Sequence, residues 1–134
     1  MSEVVARIVV AAGLGYDAYV HFDLAGNFDA NRALISQGIL FRVEAVAAIL
    51  AALLVLLIQH RAAASFAVLI ASSALGAVLL YRYVDLGTLG PLPDMYEPSW
   101  YPEKTYSAIA EAAALVAAAA LLSSRDGRQV SPPD

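Results

Sequence analysis

The sequence predicts an all-α membrane protein, an antiparallel bundle of four transmembrane helices with both termini on the cytoplasmic side. Three observations predict it. The chain of 134 residues is 60% hydrophobic and only 15% charged, with a mean hydropathy of +0.67, which is too apolar for an ordinary water-soluble domain of this length. Its apolar residues gather in four long blocks, each near the ~20 residues a helix needs to cross a hydrocarbon core. Basic residues are unevenly distributed between the blocks. The net charge of −4 lies mainly between the apolar blocks, as the dressing of exposed loops, and does not suggest a nucleic-acid surface. The chain has no Cys, which excludes disulfides, thiol nucleophiles and thiolate-held metals.

The first block covers residues 4–24. A cleaved signal peptide is the rival reading, but Glu3 and Arg7 open the stretch, and Asp17, His21 and Asp23 stand where a signal peptide should be purely apolar. Residues 25–37 hold turn formers and polar groups, which suits a short loop with a turn of interfacial helix. The second block, residues 38–58, is interrupted only by Arg42 and Glu44. Gln59, His60 and Arg61 then leave so little room that the second and third spans must form an antiparallel hairpin. The third block, residues 62–84, carries Ser72 and Gly76 at the spacing that lets helix backbones approach closely. Ala47 and Ala51, and Ala48 and Ala52, repeat that spacing on the second, and in so Ala-rich a chain it reads as tight intramolecular packing more than as a dimer motif.

Residues 85–104 concentrate four of the six prolines with Tyr96, Trp100 and Tyr101. The prolines disfavour a helix, and the aromatics suit the headgroup layer, so this segment reads as an extracytoplasmic loop folded back over the membrane surface. An aromatic belt is the plain reading of Tyr96, Trp100 and Tyr101; a lid or partner-docking contact is the sharper one. The fourth block, residues 105–122, is Ala-rich and just long enough to span, and residues 123–134 read as a frayed polar tail.

Orientation follows from the basic residues. Arg7, Arg61, Arg125 and Arg128 flank one face, and Arg32 and Lys104 the other. Counting Arg42 and Arg82 with the second face gives a tie, so the short basic Gln59-His60-Arg61 turn tips the choice toward termini inside.

With helix direction alternating, Asp17, His21, Arg42, Glu44, Arg82 and Glu111 all fall in the outer half of the membrane, while the inner half is almost purely apolar. Charges at that depth are costly and normally paired, so Asp17, His21, Glu44, Arg82 and Glu111 are expected to converge in one interior network, with Arg82 as chief cation. Spacing of four puts Asp17 with His21, and Ser107 with Glu111, on shared helix faces. Arg42 and Glu44, two apart, diverge: Glu44 should point inward while Arg42 reaches the headgroups or a neighbouring helix. Arg82 and Asp85 can meet at a helix end. The network reads either as ion pairing that fixes helix register or as a binding or proton-handling site. No metal site is expected: in the D-x-x-x-H-x-D run Asp23 turns away from His21, and His60 belongs to the other face. No H-E-x-x-H, phosphate-binding, dinucleotide-binding or nucleophile-elbow motif occurs, and Gly13-Leu14-Gly15 is better explained by helix packing.

The stretch GILFRVEAVAAILAALLVLL, residues 38–57 with its early Glu44, together with the four-block arrangement, resembles the short four-helix membrane proteins grouped around the DoxX family, and is similar also to small Ala-rich four-helix membrane proteins of actinobacteria. That resemblance implies quinone-linked redox systems and accessory membrane subunits. The sequence thus predicts a plasma-membrane binding or accessory subunit, not a free-standing enzyme and without a cofactor of its own. It would engage membrane lipids and a membrane protein complex or a second copy through its outer polar network. The alternative is a transporter-like protein in which Asp17, His21, Glu44 and Glu111 handle protons or a cation.

Overall fold

Helix starts in this chain are set by side chains that accept the first free backbone N–H groups. Ser2 Oγ accepts from Val5 N (3.2 Å), Ser36 Oγ from Ile39 N (3.0 Å), and His60 Nδ1 from Ala62 N (3.0 Å). They open α1 (Glu3–Ala25), α2 (Gln37–Leu57) and α3 (Arg61–Tyr83). The fourth helix, α4 (Pro102–Val130), starts on a proline, whose fixed φ and missing N–H suit the first helical position. The structure, a computed structural model, describes the backbone of residues 1–130 and the side chains of residues 1–125. All four helices are long and apolar enough to cross a membrane. Among the described residues the only extended pairing is two isolated bridges, Arg32 with Ser36 and Leu89 with Leu92.

The first three helices match the expected blocks within a residue at each end; the fourth does not. It begins three residues earlier and continues as helix to Val130, where a frayed tail was expected. Arg125 supplies a reason. It is buried (5% exposed), and its guanidinium bonds the His60 carbonyl at 2.8 Å and Glu3 Oε1 at 3.2 Å, so the helix at Arg125 is held by tertiary contacts that the polarity of the segment does not reveal. Residues 131–134 of the expected tail lie outside the described residues.

α1 runs antiparallel to α2. Near its start, Arg7 Nε donates to Val55 O at 3.0 Å and Arg7 Nη2 to Leu56 O, while near its end Ala25 lies close beside Gly38. α1 also packs along α4, and α4 along α3. The core is an alanine seam. α3 contributes Ala63, Ala64, Ala67 and Ala71, α2 contributes Ala45, Ala48, Ala51 and Val55, and α4 contributes Ala114, Ala117, Ala118 and Leu121 against Val10 and Leu14 of α1. Small side chains let the helix backbones come close. Gly13 marks a tight approach of α1 to α4: a Cβ there would stand 2.6 Å from Ala110 O.

Small-residue spacing was only half informative. Ala48, Ala51 and Ala52 are buried as expected, but Ser72 and Gly76 face outward on α3. The two motifs look alike because, in a helix apolar all round, sequence gives no contrast between an outward-facing and a core-facing stripe.

Candidate functional site

The polar groups of α1 and α4 meet where the alanine seam ends. On α4 the buried stripe Lys104, Ser107, Glu111, Ala114 advances in steps of three and four, so one helix face changes from polar to apolar within about a turn. Asp17 of α1 faces it. Asp17 and Glu111 are both 0% exposed, and Ser107 Oγ bridges them, 3.1 Å from Asp17 Oδ1 and 2.9 Å from Glu111 Oε1. A hydroxyl has one proton, so it cannot donate to both carboxylates at once; satisfying the pair takes a second proton or a cation.

His21, one turn along α1, completes the line. Its Nδ1 is 2.9 Å from Asp17 Oδ1 and 2.9 Å from the Asp17 carbonyl. Both oxygens are acceptors, so the proton that satisfies them sits on Nδ1. Phe41 holds the ring edge-on at 5.0 Å between centroids. Glu44 of α2 lies within Coulombic reach of Asp17, His21 and Glu111. One oxygen of each carboxylate, Asp17 Oδ2, Glu44 Oε1 and Glu111 Oε2, is buried without a hydrogen-bond partner. Such orphaned buried acceptors are uncommon and call for a physical account.

A cavity of about 370 Å³ opens beside this cluster. Its position follows from α3, whose buried alanines stop at Ala74. Beyond it, Ala77, Val78 and Tyr81 of α3 form a wall with Leu40 and Phe41 of α2 and Leu24 of α1, while Leu92, Met95 and Tyr101 of the loop are the lid. His21, Glu44, Lys104 and Ser107 also line it. The result is a largely apolar chamber with a few convergent polar groups, the usual constitution of a small-ligand site.

The loop of residues 85–101 is tied down by backbone bonds. Ile35 N donates to Pro91 O (3.0 Å) and Glu97 N to Tyr81 O (3.0 Å); Asn31 Nδ2 donates to Asp94 O (2.9 Å). Gly90, with φ of 55°, supplies the left-handed residue in the turn closed by the Leu89 and Leu92 backbone bonds. Of the expected loop contacts, Tyr101 lines the cavity, and burial together with Glu97 and Glu103 pushes its phenol above the ordinary value. Trp100 receives two cations, Arg82 at 5.8 Å and Lys104 at 5.2 Å from the ring centroid. Tyr96 stays exposed.

Four of the five expected network residues, Asp17, His21, Glu44 and Glu111, share one location. The fifth does not join them: Arg82 sits over Tyr83 (4.7 Å) and Trp100, and the described partners of the three carboxylates do not include it. A long guanidinium stem near a helix end reaches the aromatic loop more readily than the bundle interior. Asp85 bonds Gly87 N (3.2 Å) rather than Arg82, and Arg42 forms a two-pronged pair with Asp29 (2.6 and 3.0 Å) in the α1–α2 connection rather than with a helix. That pair holds the Asp29 carboxyl below its ordinary range. Lys104, counted in the sequence only as a loop-side cation, is buried, with Nζ donating to Glu97 O (2.6 Å) and Ser99 O (3.0 Å). Its place in the Lys104-Ser107-Glu111 stripe was the available signal. Asp23 is exposed, as its spacing implied, yet Glu111 takes its place: donor atoms of Asp17, His21 and Glu111 lie within 4.8 Å of one another. No protein-family model, curated protein or solved structure matches the chain.

Proposed function

We propose that this protein crosses the membrane four times with both termini in the cytoplasm and serves as a small binding or accessory subunit, its cavity taking the polar head of a lipophilic ligand, a lipid or a quinone. The single observation that carries this reading is the chamber itself: about 370 Å³ with apolar walls, ending on His21, Glu44, Lys104 and Ser107. An apolar wall favours a ring or chain, and the imidazole, ammonium and hydroxyl groups orient a carbonyl or ester oxygen. A quinone is the member of that ligand class toward which the DoxX-like resemblance points. Native mass spectrometry of the protein released from lipid nanodiscs, with and without added ubiquinone or menaquinone, tests it. A retained quinone or one retained lipid class, lost on filling the chamber with Ala77→Trp, is the expected result; indiscriminate lipid carry-over unchanged by that substitution would refute the reading.

The line His21, Asp17, Ser107 and Glu111 favours a second reading, proton or cation handling, because its members are joined by hydrogen bonds. The alanine seam supports binding over conduction, since Val10, Leu14, Ala48 and Ala118 offer no polar continuation toward the hairpin. Orientation is tested separately, with single Cys introduced at Gln59 or Thr88. An impermeant reagent on intact cells should label position 88 and spare 59; the reverse pattern would invert the topology.

A further inference from the structure

The bundle interior holds three carboxylates, one imidazole and one hydroxyl in mutual reach, with no lysine or arginine among the described partners of Asp17, Glu44 and Glu111. Lys104, the cation nearest the chamber, spends two of its donors on loop carbonyls. Ion pairing inside the protein therefore does not balance the cluster, and an unbalanced buried charge is costly. The orphaned atoms point the same way. Asp17 and Glu111 are fully buried, yet each carries an oxygen without a donor, and so does Glu44.

We propose that Asp17, His21 and Glu111, with Glu44 as a further oxygen donor, form a binding site for one divalent first-row metal cation. The donor atoms of Asp17, His21 and Glu111 lie within 4.8 Å of one another. A cation bound at about 2.0–2.2 Å to each would draw them in by roughly an ångström, within reach of side-chain torsions. Imidazole with carboxylates suits Zn, Fe(II) or Mn(II) more than Mg or Ca, and a thiolate-selecting metal is disfavoured by the donor set. Taking one divalent cation reduces three formal negative charges to one, and the Ser107 proton then needs to serve only one carboxylate. His21 and Glu44 border the chamber while Asp17 and Glu111 lie behind them, so the cation has a route in and keeps a face toward the chamber. The inference does not rest on the lipophilic-ligand reading.

Chelator-stripped protein in nanodiscs, titrated with Co²⁺ and followed by visible absorption, tests the site, with Zn²⁺ as competitor. One equivalent of Co²⁺ should give d–d bands that Zn²⁺ removes. His21→Gln should shift the bands, and Glu111→Gln should weaken binding at least about 10- to 100-fold. Asp23→Asn, an exposed carboxylate on the same helix, should bind as the parent does. Should Glu111→Gln fail to fold, Glu44→Gln at the chamber edge and the Zn²⁺-dependent rise in melting temperature of the unaltered protein decide the matter. No bands in the unaltered protein, or bands unaffected by His21→Gln and Glu44→Gln together, would overturn the proposal and leave the carboxyls sharing protons. Lipid and quinone retention measured on the same metal-free sample reports the chamber independently.

Discussion

Near the hairpin, α2, α3 and α4 meet through Ala48, Ala51, Ala64, Ala67, Ala117 and Ala118, all at or near zero exposure; near the loop, α1, α2 and α4 present Asp17, Ser107, Glu111, His21 and Glu44, and a chamber opens beside them. Alanine next to alanine lets two backbones close until nothing fits between them. Carboxylates do not permit this, because each buried oxygen needs a partner and the partners need room. The difference teaches that one set of apolar helices can be sealed at one end and hollow at the other by the choice of residues on a single stripe, which is clearest on α4, where Lys104, Ser107 and Glu111 give way to Ala114, Ala117 and Leu121.

The strongest challenge to the sealed half is Gly13→Val. Its branched side chain would run into Ala110 O and Ala114, and it should destabilise the fold by roughly 3 kcal/mol, read from unfolding in mixed micelles. A cost below about 1 kcal/mol would mean that α1 and α4 are not in close contact. Arg125→Gln should come next at about 2 kcal/mol, since it removes a charged donor from the His60 carbonyl and from Glu3. A matched pair then sharpens the contrast: Ala67→Leu in the seam should cost about 1–3 kcal/mol, whereas Ala77→Leu, on the chamber wall, should change stability by no more than about 0.5 kcal/mol and lower ligand retention instead. Equal costs at the two positions would erase the distinction between the halves. The smallest effect is expected at Asp29. Its carboxyl is depressed by Arg42, so the tie it makes is present above the unfolded carboxylate pKa and is lost as pH falls through the lower folded value. Amide exchange in the α1–α2 connection should therefore rise in acid relative to its intrinsic rate, and Asp29→Asn should remove that dependence.

Much of the fold was legible because hydropathy marks where helices run, and spacing marks which residues share a face. Asp17 with His21 and Ser107 with Glu111 follow from that alone, as does the inward Glu44 opposite the outward Arg42. What spacing does not encode is the neighbour across the gap. Arg82 went to the loop because the folded path of residues 85–101 brings Trp100 over it, a placement fixed by bonds such as Glu97 N to Tyr81 O. Arg7 and Arg125 register in sequence only as positive charges near one face. In the structure both donate from their side chains to backbone carbonyls of the α2–α3 hairpin: Arg7 meets carbonyls of the last turn of α2, which a helix end leaves open, and Arg125 adds a charged donor to the His60 carbonyl.

Those two arginines also bear on the order in which the chain can become itself. Arg7 emerges from the ribosome with the first helix and can seal the end of the second as soon as both are side by side. The carbonyl of His60, which already accepts from Ala63 N, gains its charged donor only with Arg125, more than sixty residues later, and Asp17 waits longer still, ninety residues, for Ser107. A nascent chain with three helices formed is therefore short of contacts at both ends, and the arrival of α4 supplies the charged donor at the hairpin and the hydroxyl at the loop in a single event.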